Sequence, residues 1–77
     1  MPKITPTDWR TLERIFEADG WVYCRTRGSH RSYTKPGFNR PVIIPMYKDC
    51  GLDIIKSNMR TAHMSNERYF ELMNRTC

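Results

Sequence analysis

Apolar residues recur at helical spacing near the start of the chain. The repeat consists of Trp9, Leu12, Ile15 and Phe16. Such a stripe predicts an amphipathic helix with one side toward a core. Thr5 is a suitable N-cap, Pro6 suits the first helical position, and Asp8 completes a capping-box pattern three residues later. Asp19–Gly20 predicts the end of this helix, because glycine readily takes the left-handed backbone that closes helices.

Three segments rich in β-branched and aromatic residues follow, and each is predicted to form a strand. They run over Trp21–Arg27, His30–Lys35 and Arg40–Met46. The two-residue connection Gly28–Ser29 is typical of a hairpin, and Pro36–Asn39 has the composition of a turn. Tyr33, Val42 and Ile44 are expected to point into the core. Pro41 and Pro45 in the third segment indicate either an edge strand or the ends of the strand.

Alternation along the first strand divides its side chains between two faces. One face would carry Tyr23, Arg25 and Arg27, and the other Val22, Cys24 and Thr26. We expect the arginine face to be solvated, because ionised side chains are seldom buried without a partner. Cys24 is most simply interpreted as a small buried apolar residue.

The C-terminal part of the chain is predicted to be helical. A second apolar stripe consists of Leu52, Ile55, Met59 and Ala62. Ser65–Asn66 can cap a last, short helix that carries Tyr69, Phe70 and Met73. The order of helix, three strands, helix and short helix predicts an α+β domain over residues 1–77, with helices on one face of an antiparallel sheet.

Length and charge narrow the class of protein. The chain has 77 residues and a formal net charge of +5, so one small basic domain is expected. Such an excess of positive charge favours a polyanionic partner, either nucleic acid or an acidic protein surface. The N-terminus has no signal-peptide pattern and no segment is apolar enough to span a membrane, so a soluble, cytoplasmic protein is predicted.

The cysteines do not form a recognisable framework. Cys24, Cys50 and Cys77 are odd in number and lack paired spacing, which favours free thiols in a reducing compartment. A zinc site that combined them with His30 and His63 would need ligands scattered along the chain. We therefore predict no metal site. His63, near the end of the second predicted helix, is interpreted as structural or exposed.

His30 is the strongest candidate for chemistry. An imidazole can act as a base or an acid near neutral pH, and Arg25, Arg27 and Arg31 would favour its neutral form through like charge. These arginines and Lys35 are suitable ligands for phosphate. A base beside such cations fits RNA cleavage, in which the ribose 2′-hydroxyl attacks the adjacent phosphate. On residue chemistry alone, an ordinary polar position on a basic strand is the favoured interpretation, because a lone histidine near basic residues is a weak signal.

Helper groups for such chemistry are not resolved by the sequence. Ser29, Tyr33 and Lys35 lie close enough along the chain to assist His30, but no spacing argument ranks them. Gly28 is assigned to the turn that exposes the histidine. The sequence contains no phosphate-binding glycine loop and no familiar metal-binding motif.

The chain resembles the HicA toxins, small mRNA interferases of bacterial and archaeal toxin–antitoxin pairs. The most specific segment is RTRGSH (Arg25–His30), which is similar to the family pattern R-x-[KR]-G-S-H. Leu12–Trp21 looks like the family's first helix running into a glycine-aromatic strand start. Arg40–Pro45 is similar to the family's third strand.

This resemblance implies a fold like that of double-stranded-RNA-binding domains, and a metal-independent endoribonuclease with His30 as its catalytic residue. It also implies mRNA as the substrate and a HicB-type antitoxin as the protein partner, with no cofactor. Two alternatives stay open: a non-catalytic RNA-binding domain, and a basic module that binds an acidic protein surface.

Overall fold

The computed structural model describes residues 3–76; Met1, Pro2 and Cys77 lie outside the described residues. Its elements are α1 (Trp9–Ala18), β1 (Val22–Arg27), β2 (His30–Thr34), β3 (Val42–Pro45), α2 (Leu52–Thr61) and α3 (Asn66–Thr76). The strands form one antiparallel sheet in the order β1-β2-β3. The helices pack against this sheet, so the predicted α+β layout is confirmed.

Helix α1 begins later than the sequence predicts. Its N-cap is Asp8, whose carboxylate accepts from the backbone N–H of Thr11 at 3.3 Å. The prediction of Thr5 as the cap is wrong, because the preceding chain is held in an extended conformation: Thr7 exchanges two backbone hydrogen bonds with Cys50. Hydrogen bonds from the Thr11 hydroxyl and backbone N–H lower the pKa of Asp8.

The end of α1 follows the prediction. Gly20 has φ +101°, and a Cβ there would come 3.2 Å from Lys35 Cε. The N–H of Gly20 donates to Glu17 O and that of Trp21 to Phe16 O, which together make a Schellman motif. The chain therefore leaves the helix directly into β1, with Trp21 buried between the two elements.

Cross-strand pairing sorts the sheet residues into two faces. The Tyr33 face carries Tyr23, Thr26, Arg31, Tyr33, Val42 and Ile44. The His30 face carries Arg25, Arg27, His30, Ser32, Ile43 and Pro45. Tyr33, Val42 and Ile44 are fully buried, as predicted, together with Leu12, Ile15 and Phe16 of α1. The Tyr33 face is thus the side of the sheet that the helices cover.

A β-bulge at Cys24 corrects the predicted faces of β1. Tyr23 pairs with Tyr33 and Arg25 pairs with Ser32, so Cys24 is the extra residue. The bulge turns Tyr23 onto the Tyr33 face, where its ring meets that of Tyr33 edge-on at 5.9 Å. Tyr23 therefore does not share a face with Arg25. Cys24 is exposed rather than buried, because a bulged residue on an edge strand has no helix above it.

Helix α2 is fixed along the outer edge of β3 by one buried side chain. Asn58 Nδ2 donates to Ile43 O at 2.8 Å, and Ile43 N–H donates to Asn58 Oδ1 at 3.2 Å. This amide satisfies the backbone groups that an edge strand leaves unpaired. Ile55 and Met59 of the predicted stripe are buried, but Leu52 is exposed at the start of the helix, so that prediction is wrong at its first position.

Helix α3 is longer than the short helix expected, with 11 residues. Its predicted N-terminus is confirmed: Ser65 Oγ accepts from the N–H of Arg68 at 3.1 Å. Tyr69 and Leu72 are fully buried, and α3 packs against α1. The helix extends past Tyr69 because Leu72, in the next turn, is also buried in the core. Among residues 3–76, no helix is both long and apolar enough to cross a membrane.

Candidate active site

The turn between β1 and β2 places His30 at a corner of the sheet. Gly28 has φ +56°, and a Cβ there would meet nothing within 4 Å. Glycine is therefore favoured here because of the positive φ, and not because a side chain would clash with a neighbour. The carbonyl of Ser29 accepts from Met46 N–H at 2.7 Å, which ties the turn to the chain leaving β3. His30, the first residue of β2, starts from a fixed backbone.

His30 is exposed and lies between two cross-strand partners. Arg27 of β1 is directly opposite on one side, and Pro45 of β3 on the other. The imidazole meets the ring of Tyr47 edge-on, with 6.4 Å between centroids and 71° between planes. Tyr47 is itself 45% exposed. A ligand can therefore reach the imidazole from solvent, with one aromatic wall beside it.

The hairpin register gives His30 its positive surroundings. Arg27 pairs with His30 and Arg25 pairs with Ser32, so both arginines share the face of His30. Both arginines are exposed, and within residues 3–76 neither has an ion pair. Two guanidinium groups with free donors thus lie on the same surface as the histidine, as the sequence predicts for this pair.

An open groove of about 650 Å³ begins at His30 and runs between β3 and α2. Its floor is Ile43 and Pro45, both on the His30 face. Its polar lining consists of Arg40, Tyr47, Asp53, Ser57, Asn58 and Thr61. The Asn58 amide keeps the groove in shape, because it fixes the distance between the helix and the strand. The groove is open to solvent and lined by both polar and apolar side chains.

Arg31 lies on the other face of the sheet from His30. Its Nη2 is 3.0 Å from Glu13 Oε2, and its Nε donates to Tyr33 Oη at 3.0 Å. The guanidinium also stacks over the ring of Tyr23 at 4.2 Å. The structure does not bring Arg31 together with Arg25 and Arg27, although it was predicted with them, because neighbouring residues on a strand point to opposite faces.

Lys35 and Tyr33 are likewise engaged away from His30. Lys35 Nζ donates to Asp19 O at 2.6 Å and lies 3.6 Å from the Asp19 carboxylate, where it closes the end of α1. Tyr33 Oη donates to Glu13, and burial, followed by this carboxylate, raises the pKa of the phenol. Of the helpers considered from sequence, only Ser29 stays at the corner.

Several groove residues were missed by sequence reasoning. Arg40 and Tyr47 follow no motif, and they reach the groove through the connections on either side of β3. Ser57 and Thr61, by contrast, are four apart on α2 and follow Ile54 at helical spacing. That second, partly polar stripe beside the apolar one was a usable signal for a helix face turned toward a ligand.

The cysteines and histidines that the structure describes do not assemble into a metal site. Within the part of the chain that the structure describes, no three His, Cys, Asp or Glu side chains are grouped for metal binding. Cys50 is buried, its thiol donates weakly to Pro45 O at 3.5 Å, and burial raises its pKa. Cys24 is exposed on the bulge. Cys77, the third cysteine considered as a zinc ligand, lies outside the described residues.

Comparison with protein-family models identifies the family of this chain. Residues 9–64 match the family model described as the HicA toxin of bacterial toxin–antitoxin systems. The match extends from α1 to just past the end of α2, so it contains the hairpin, His30 and the whole groove. A search of curated proteins finds no match to the chain.

Proposed function

The chain belongs to the HicA family of toxins from bacterial toxin–antitoxin systems, and on that basis we propose that it is an endoribonuclease that cleaves mRNA at His30. The observation that carries the proposal is the position of His30: exposed at a corner, directly opposite Arg27, at the mouth of a polar groove. A general base beside arginines that have no ion pair is suited to RNA cleavage in which the ribose 2′-hydroxyl attacks the adjacent phosphate.

In the proposed reaction the neutral His30 imidazole removes the proton from a ribose 2′-hydroxyl. The 2′-oxygen attacks the adjacent phosphorus, and the bond from phosphorus to the 5′-oxygen breaks. The departing oxygen takes a proton from solvent, which reaches this exposed corner. The products are a 2′,3′-cyclic phosphate and a 5′-hydroxyl end.

Arg25 and Arg27 have a second role in this proposal. Negative charge grows on the phosphate oxygens as the 2′-oxygen attacks, and guanidinium groups already in place stabilise that charge. Tyr47 acts as a positioning residue, because its ring limits the rotation of the imidazole. Arg31 and Lys35 are assigned to the fold, since their cations are already paired with Glu13 and Asp19.

The proposed partner is a HicB-type antitoxin that covers the His30 face. A toxin of this family requires neutralisation, and the unpaired arginines give a surface complementary to an acidic protein. We expect co-expression with such an antitoxin to yield a stable complex in which cleavage is blocked. A complex that forms but leaves full cleavage activity would contradict occlusion of this face.

The direct test compares a single-stranded RNA with DNA of the same sequence, incubated with the purified protein. We expect the RNA alone to be cut, with 2′,3′-cyclic phosphate and 5′-hydroxyl ends identified by mass spectrometry. Cleavage should persist in a chelator, as proposed for a metal-independent reaction. Cleaved DNA, 5′-phosphate ends or a strict need for magnesium would point to another mechanism. Binding without any cleavage would favour the non-catalytic RNA-binding alternative.

A further inference from the structure

A second groove of about 420 Å³ lies beyond the first, at the C-terminal end of α2. It is lined by Arg40, Arg60 and His63 with Ser57, Thr61 and Asn39, and no Asp or Glu contributes to its wall. Arg40, Ser57 and Thr61 line both grooves, so the two are continuous. A chain that enters at His30 therefore has a path along α2 to this second groove.

The cations of the second groove have no carboxylate partners. Arg40 and Arg60 are exposed, and neither makes an ion pair within residues 3–76. Some cations elsewhere do have partners: Arg68, for example, contacts both Asp19 and Glu71. The wall of the first groove contains Asp53, so the absence of acidic residues distinguishes the second groove from the first.

His63 occupies an unusual position in the same groove. Its φ is +54°, at the residue that closes a Schellman motif: the N–H of His63 donates to Arg60 O and that of Met64 to Met59 O. Glycine is the usual residue at this position because a side chain is strained there. Here a side chain is present, and its ring meets that of Phe38 at 5.2 Å.

Neutralisation of the helix dipole is the plainer explanation for positive charge at a helix C-terminus. It accounts for Arg60 and for a histidine just past the helix end. It does not account for Arg40, which comes from the connection before β3 and lines the same groove. Phosphate binding accounts for both arginines, since guanidinium groups form charge-assisted hydrogen bonds with phosphate oxygens.

We propose that Arg40, Arg60 and His63 form a phosphate-binding subsite that holds the RNA strand away from the bond cut at His30. The choice of RNA as the ligand rests on the proposed function. The subsite would bind any single strand through its phosphates, so it contributes affinity and not base selection. Its position on the same groove system makes it a second point of attachment for substrates longer than a dinucleotide.

Binding is tested with a single-stranded DNA 12-mer, which carries the phosphates but lacks the 2′-hydroxyl. We expect Arg40→Ala/Arg60→Ala to weaken binding about tenfold at low salt and to reduce the slope of log affinity against log salt by about 1.4, or about 0.7 per lost contact. The matched control, Arg14→Ala/Arg75→Ala, removes the same charge from exposed helix positions outside both grooves. Equal losses in the two double variants would overturn the subsite.

Cleavage kinetics give a second readout. Arg60→Ala, which lies outside the His30 groove, should raise KM for long RNA with kcat unchanged. It should cut a dinucleotide as the unmodified protein does, since one phosphate cannot occupy both sites. A fall in kcat on the dinucleotide would overturn the assignment. If neither the unmodified protein nor the variants cleave RNA, the proposed function fails, while the DNA-binding measurement still tests whether the subsite exists. His63→Gly with unchanged DNA affinity would remove His63 from it.

Discussion

The arginines on the two faces of the sheet differ in whether they have partners within the protein. On the Tyr33 face, Arg31 is held by Glu13, by the phenol of Tyr33 and by the ring of Tyr23. On the His30 face, Arg25 and Arg27 have no ion pair within residues 3–76. The same side-chain chemistry thus stabilises the fold on one face and is left available to a ligand on the other.

A single extra residue decides which of these arginines Tyr23 accompanies. Without the bulge at Cys24, Tyr23 would lie on the same face as Arg25 and Arg27. With it, the Tyr23 ring lies against Arg31 and Tyr33, while Arg25 and Arg27 stay with His30. An arginine-rich strand therefore does not by itself identify a ligand-binding face. The strand pairing is needed to show which arginines already have partners within the protein.

The largest effect on stability is expected from Glu13→Ala. The change leaves Arg31 without its carboxylate and the buried Tyr33 hydroxyl without its acceptor, which should cost about 2 kcal/mol of the free energy of unfolding. Urea denaturation measures this. Glu17→Ala, an exposed position with the same charge change on the same helix, should cost under about 0.5 kcal/mol. Equal losses would show that the Tyr33 face has no special role in stability.

A smaller effect, of about 1 kcal/mol at pH 7, is expected from Tyr33→Phe. Burial, then the Glu13 carboxylate, raises the pKa of Tyr33 in the folded protein. The stabilising contribution is therefore complete below the ordinary tyrosine pKa of about 10 and is lost as the pH rises above it. The difference between the two proteins should shrink in urea titrations between pH 9 and 11. A difference that grows with pH would contradict the hydrogen-bond assignment.

The smallest effect on stability, under about 0.5 kcal/mol, is expected from Arg25→Ala and Arg27→Ala. These substitutions should instead weaken RNA binding. Each should reduce the slope of log affinity against log salt concentration by about 0.7. The positions of the cuts should not move, because phosphate contacts carry no base information. Changed cleavage sites with unchanged affinity would exclude a phosphate role for these arginines.

The features that sequence alone predicted are local ones. The hairpin at Gly28, the start of β2 at His30, and the inward direction of Tyr33, Val42 and Ile44 all follow from spacing within a few residues. The family resemblance on Arg25–His30 likewise depends on a short contiguous segment, and the match over residues 9–64 confirmed the family.

The features that sequence missed depend on distant pairs. Asn58 bonds to Ile43 across 15 residues, and the Tyr33 hydroxyl to Glu13 across 20. The bulge at Cys24 is set by what Tyr23 packs against, which no local pattern records. For the same reason Arg31 and Lys35 were predicted beside His30, while their carboxylate partners lie on or next to α1.

The most direct test of the central claim is the RNA cleavage rate of His30→Ala beside that of the unmodified protein. Because the His30 side chain is exposed, the variant should keep its free energy of unfolding, measured by urea denaturation, within about 0.5 kcal/mol of the unmodified protein. Loss of a general base should lower kcat about 10²–10⁴-fold. A folded His30→Ala protein that cleaves RNA at the unmodified rate would contradict the account.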